Sequence, residues 1–95
     1  MATHLYHIAQ EAVTNAIKHG QARNVLIRLA QDNGWGALVV RDDGSGIQED
    51  RANTQGMGLH IMTYRAGMIG GRLEIRPNET QGTSVTCAFP VFSAR

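Results

Sequence analysis

One cysteine, Cys87, stands in the 95 residues, so no internal disulfide can form and nothing points to an oxidising compartment. A cytoplasmic location is the default expectation. Long apolar runs are lacking too: the longest, Ala37 to Val40, falls far short of the roughly 20 residues that span a bilayer. The amino terminus also lacks the apolar block of a signal peptide, and no membrane contact by this chain is expected. Net charge is nearly absent. Nine Lys+Arg oppose eight Asp+Glu for a formal +1, which gives no field for nucleic acid or anionic lipid, so any polyanion must be gripped locally. With 95 residues there is room for one core and one domain. The 42% of apolar residues suffices to build that core, and 18% charged is too little for disorder. Glycine is the abundant exception, at 11 residues, of which eight fall from Gly44 to Gly82.

From His4 to His19 the apolar residues Leu5, Ile8, Ala9, Ala12, Val13, Ala16 and Ile17 recur at three- and four-residue steps, which predicts an amphipathic helix with Thr3 as N-cap and Gly20 as its stop. Asn24 to Ala30 and Gly36 to Arg41 read as strands joined by a hairpin turn through Asp32-Asn33-Gly34. Asp42 to Gln55 is polar and without a period, a loop with room for a helical turn at Gln48 to Ala52. A second helix is expected to open near Gly58, with Leu59, Met62, Ala66 and Ile69 inward, and to end at Gly70-Gly71. Arg72 to Arg76 and Thr83 to Phe89 alternate as a closing hairpin. The order helix, hairpin, loop, helix, hairpin predicts an α+β sandwich with helices on one face of a mixed or antiparallel sheet.

Three segments carry groups suited to chemistry. On the first helix His4, His7, Glu11, Asn15 and Lys18 form a polar stripe, which on its own reads equally well as a solvated helix edge. At a strand end, Asp42-Asp43-Gly44-Ser45-Gly46 places a carboxylate beside two glycines that permit a flat ligand to approach. A carboxylate accepting from the exocyclic amine of adenine would reject guanine, though Asp-Gly and Ser-Gly are also ordinary turn pairs. Gln55-Gly56-Met57-Gly58-Leu59 stands where the second helix begins, and free N–H groups at a helix start suit phosphate as readily as the segment suits a plain helix entry. A dinucleotide fingerprint is excluded because its sixth position holds Ile61, and a P-loop because no Gly-Lys-Ser/Thr occurs.

Taken together and in order, Glu11 to Asn15, Asp42 to Gly46, Gly56 to Gly58 and Gly82-Thr83 resemble the four ATP-binding boxes of the GHKL superfamily. Leu5 to His19, Gly56-Met57-Gly58-Leu59 and Arg65 to Gly71 look like the sensor histidine kinases that partner NarL/LuxR-type response regulators, and the resemblance runs from about Leu5 to Pro90. It implies the Bergerat ATP-binding fold, a two-layer α/β sandwich with helices on one face of a mixed sheet. It also implies ATP as substrate, Mg²⁺, a phosphoacceptor-histidine dimerisation domain and a response regulator as partners.

Position by position, the resemblance makes Asn15 the Mg²⁺ ligand and Glu11 the residue that activates the nucleophile. Lys18 and His19 would face the phosphates, and Gly56, Met57, Gly58 and Leu59 would border them. Asp42 would read adenine, Gly44 and Gly46 would make room for it, and Thr83 would support the contact, with Gln48 to Gln55 as a lid. His7 stands where that subfamily commonly has Arg, and Gly20 where Ala is usual. Because the sequence begins almost at the first box and its four histidines lie in or beside the boxes, residues 1–95 are expected to be a catalytic-domain fragment with one open sheet edge. Such a fragment would not phosphorylate itself, and would be cytoplasmic whether or not the whole kinase is membrane-anchored.

Rival readings share some of these features. Anti-sigma-factor serine kinases have similar boxes, and ATPases of chaperone, topoisomerase and mismatch-repair type use the same acid to activate water; the Lys18-His19 ending favours the histidine kinases. His4, His7 and Glu11 have a spacing that could hold a metal on one helical stripe. A non-catalytic interaction domain is the third alternative, with Trp35 and Met57 as its anchors, although both fit local packing.

Overall fold

The computed structural model describes residues 2–45, 56–78 and 81–91. Its elements are α1 (Ala2–Lys18), β1 (Val25–Asp32), β2 (Trp35–Asp42), α2 (Gly56–Met68), β3 (Arg72–Pro77) and β4 (Thr83–Pro90). The strands lie in the order β1-β2-β4-β3. Every described pair is antiparallel, so this part of the sheet takes the antiparallel form of the expected sandwich.

Helix α1 forms where the periodicity places it and buries Ile8, Ala12 and Ala16. Two details differ from expectation. The helix starts at Ala2, so Thr3 lies inside the first turn and is not the N-cap. At the other end His19 and Gly20 both donate to the Asn15 carbonyl at 3.0 Å, and the left-handed residue is Gln21, with φ of 52°. Gly20 is required for another reason: a β-carbon there would meet the Ala16 carbonyl oxygen at 2.9 Å. Ile17, expected inward, is 56% exposed.

The β1–β2 hairpin turns through Asn33 and Gly34, with φ of 51° and 82°, and two successive positive angles match the twist of the strands they join. Helix α2 begins at Gly56, two residues before the expected Gly58. The two glycines thus sit inside its first turn, where N–H groups have no helical partner in any case. It buries Met62 and Ala66 and ends at Met68, and the φ of 72° at Gly70 allows Gly71 to donate to the Ala66 carbonyl at 2.8 Å.

Both helices cover one sheet face. The core joins Ile8 and Ala12 of α1, Met62 and Ala66 of α2, Leu38 and Val40 of β2, and Val85, Cys87 and Phe89 of β4. Cys87 is fully enclosed, and burial pushes its thiol pKa up, so it serves as a neutral core side chain. Gly36 is needed beneath the core, since a β-carbon there would lie 2.4 Å from the Phe89 ring. No helix among the described residues is long and apolar enough to cross a membrane.

Candidate functional site

The carboxyl end of α1, the start of α2 and the adjoining ends of β2 and β4 surround a cavity of about 420 Å³, its open mouth included. Asn15 lines it from α1 and His19 from just beyond that helix, Asp42 from β2, Leu59 from α2 and Thr83 from β4. These five come from four segments far apart in sequence. The remaining wall is largely apolar, made by Met62, Ile75 and Val85 with Ala12 and Ala16, and such walls bind a flat ring by excluding water.

Glu11 and Asn15 are one turn apart on α1, and both face the first turn of α2. A β-carbon at Gly58 would come within 3.3 Å of the Glu11 carboxylate and 3.5 Å of the Asn15 amide nitrogen, so a bare backbone suits this position. Gly56 and Met57 are the first two residues of the same helix. Lys18 lies in the last turn of α1, exposed and outside the cavity lining, where its charge complements the helix dipole. Gly46 and the expected lid from Gln48 to Gln55, with its helical turn, lie outside the described residues.

Asp42 is half-buried and its Oδ1 accepts the Gly44 N–H at 2.8 Å. This turns the carboxyl group toward its own loop and leaves Oδ2 with no hydrogen bond among the described residues. Gly44 packs on Gly20: a β-carbon on Gly44 would lie 2.5 Å from the Gly20 carbonyl oxygen, which already accepts the Ser45 N–H at 2.8 Å. Thr83 is 5% exposed, the one buried polar residue among those described, and it lines the cavity.

Sequence reasoning missed the residues that hold this strand end in place. Asp43 Oδ1 accepts the backbone N–H groups of Arg23 and Asn24 at 2.8 and 2.9 Å, and its Oδ2 accepts the Asn24 side chain at 2.8 Å. These bonds, that from the Asn24 side chain first, hold its carboxyl below the ordinary value of 3.8. Nothing but the Asp-Asp pairing itself could have flagged it. Met62, Ile75 and Val85 were legible only as core by their periodicity, since a pocket wall and a core wall share one pattern. His4, of the alternative metal set, has its Nδ1 3.4 Å from the Arg65 guanidinium. Among the described residues no group of three or more His, Cys, Asp or Glu is placed to hold a metal ion.

Residues 1–93 match the family described as histidine kinase-, DNA gyrase B- and HSP90-like ATPase. The chain belongs to that family. It is 39% identical over 88 residues to the nitrate/nitrite sensor protein NarX of Escherichia coli (strain K12), covering 93% of this chain and 15% of NarX. To the sensor histidine kinase LiaS of Bacillus subtilis it is 36% identical over 89 residues, covering 94% of this chain and 25% of LiaS. The chain thus spans a quarter or less of these relatives. Among solved structures, the ATP-binding domain of PrrB from Mycobacterium tuberculosis superposes with a TM-score of 0.83 at 23% identity, covering 98% of this chain and 71% of that one. This likeness shows the fold: the α+β sandwich is that of the PrrB ATP-binding domain.

Proposed function

We propose that residues 1–95 are the catalytic and ATP-binding domain of a two-component sensor histidine kinase. It transfers the γ-phosphate of ATP to a histidine on a separate dimerisation domain, for relay to a response regulator of NarL/LuxR type. The observation that carries this reading is the cavity itself, with a largely apolar wall, Asp42 beside it and Asn15 and His19 at the α1 end. In this reading Asp42 accepts the adenine amine through its open Oδ2. Gly44 gives the base room, with Gly46 beyond it. The closely packed Thr83 supports the base from below. The triphosphate runs toward the first turn of α2, where unpaired N–H groups of Gly56, Met57, Gly58 and Leu59 favour negative charge. His19 and, from the rim, Lys18 add donors.

The donor set fits Mg²⁺. That ion keeps several waters and needs only one or two protein oxygens beside substrate phosphates, and the Asn15 side-chain oxygen can supply one. Mg²⁺ when bound would neutralise charge between phosphates. Glu11, next to Asn15 across from Gly58, would accept the proton of, or orient, the incoming nucleophile.

Thermal unfolding with Mg²⁺ and ATP, ADP or GTP tests the reading on this chain and on Asp42→Asn. Adenine nucleotide at about 100 times its dissociation constant adds roughly 2.7 kcal/mol, a rise on the order of 10 °C or more for a domain of this size. GTP is expected to give no shift, and Asp42→Asn to lose most of the response to ATP. Equal shifts with ATP and GTP, or none at millimolar nucleotide, would remove the basis of the assignment.

A further inference from the structure

Asp42 is the last residue of β2. On one side it pairs with Val25 of β1, but on the other the ladder with β4 stops one residue earlier, at Arg41 opposite Ser84. The Asp42 carbonyl therefore lies beyond the last rung. Asn78, which follows β3, fills the gap: its Nδ2 donates to the Asp42 carbonyl at 2.8 Å. The same Nδ2 donates to the Gln81 carbonyl at 3.3 Å, and Asn78 Oδ1 accepts the Ser84 hydroxyl. Two carbonyls and one hydroxyl leave only one orientation of the amide that satisfies all three partners. The Asn78 backbone N–H closes the turn onto the Gly82 carbonyl at 3.0 Å. Gly82 in turn is pressed against the same Asp42 carbonyl, which a β-carbon would strike at 1.9 Å. Asn78 and Gly82, on either side of this turn, thus both close on one atom of the residue whose carboxyl borders the cavity.

We propose that Asn78 is a positioning residue of the nucleotide site: by holding the Asp42 carbonyl it fixes the direction of the Asp42 carboxyl and so sets selectivity for adenine. This rests on the reading of Asp42 given above. Asn78 does not line the cavity; it reaches the cavity through the Asp42 carbonyl and through Gly82 and Ser84, which flank Thr83. Its effect is expected at the end of the site where Asp42 accepts the 6-amino group. The contact with the phosphates is unaffected.

The experiment measures calorimetric affinity of the 95-residue chain for ADP and for purine riboside 5′-diphosphate, which lacks the 6-amino group. Asn78→Ala is expected to weaken ADP about tenfold, the scale of one lost directional hydrogen bond, and to change the affinity for the amine-free ligand less than about twofold. Ser84→Ala keeps the amide but removes the hydroxyl that orients it, and is expected to show the same split at about threefold. It carries the test alone should Asn78→Ala fail to fold. Loss of both ligands to an equal extent would mean a merely structural turn, and an unchanged ADP affinity in both variants would mean no role; either result overturns the proposal. A wild-type chain that binds the two ligands equally, with Asp42→Asn unchanged as well, overturns the reading of Asp42 first and this proposal with it. Selectivity lost in Asp42→Asn and kept in Asn78→Ala overturns this proposal alone.

Discussion

β1 and β4 are both eight residues long and both alternate apolar side chains toward the helical face, yet they have opposite fates. β4 lies between β2 and β3, and Thr83, Val85, Cys87 and Phe89 are buried at every second position. β1 is the edge. Ile27 and Leu29 stand opposite the buried Val40 and Leu38 of β2, on the same face and one strand away, and remain 53% and 65% exposed. The two helices cover the sheet from β2 to β3 and reach β1 only at its margin, where Val25 packs against the core. Alternation in a sequence specifies which face a residue shares, whereas burial depends on how far the second layer extends.

This contrast can be tested by truncation. Phe89→Ala is expected to cost about 3–5 kcal/mol, the usual range for an aromatic removed from a packed core. Measured by urea denaturation, this should bring the chain near the limit of folding, given the 5–15 kcal/mol typical of whole domains.

A smaller effect, which fades in acid, is expected at the polar clamp that ties the entry of β1 to the end of β2. The Asp43 carboxyl is held below its unfolded value of 3.8 by Asn24 and Arg23, so the charged form is the one the fold favours. Its contribution to stability is present above pH 3.8 and fades as pH falls through the lower, folded value. Asp43→Asn should therefore have a lower melting temperature at neutral pH and a flatter profile below about pH 4 than the parent chain.

The smallest change is expected at Leu29→Ser, within about 0.5–1 kcal/mol, because little of that side chain leaves water on folding. A loss as large as that of Phe89→Ala would show that the edge is covered in solution and would abolish the distinction between the strands.

Element identity was legible because local periodicity and turn chemistry agreed, as in the Ile8, Ala12, Ala16 stripe and the Asn33-Gly34 turn. The limits of elements were less so. Thr3 resembles a cap but sits within a helix that begins earlier, and Gly56-Met57-Gly58 resembles a loop because glycine disfavours helix interiors while costing little in the first turn. Of the site, Asn15, His19, Asp42, Leu59 and Thr83 come together around one cavity, and their side chains were recognisable from chemical type and order. Asn78, Asp43 and Gly20 were not. Each acts on a backbone group of a distant segment, and a carbonyl waiting for a donor leaves no mark on the sequence that contains it.

Trp35 opens β2, the strand that ends at Asp42, and it is the one tryptophan of the chain, 56% exposed. Seven strand steps separate the two, a span of about 23 Å. Its emission therefore reports on the hairpin and the open edge, and nucleotide entering at the far end of the strand should leave the fluorescence almost unaltered. The chain carries a built-in optical probe for whatever comes to lie against β1, one insensitive to the ligand in the cavity.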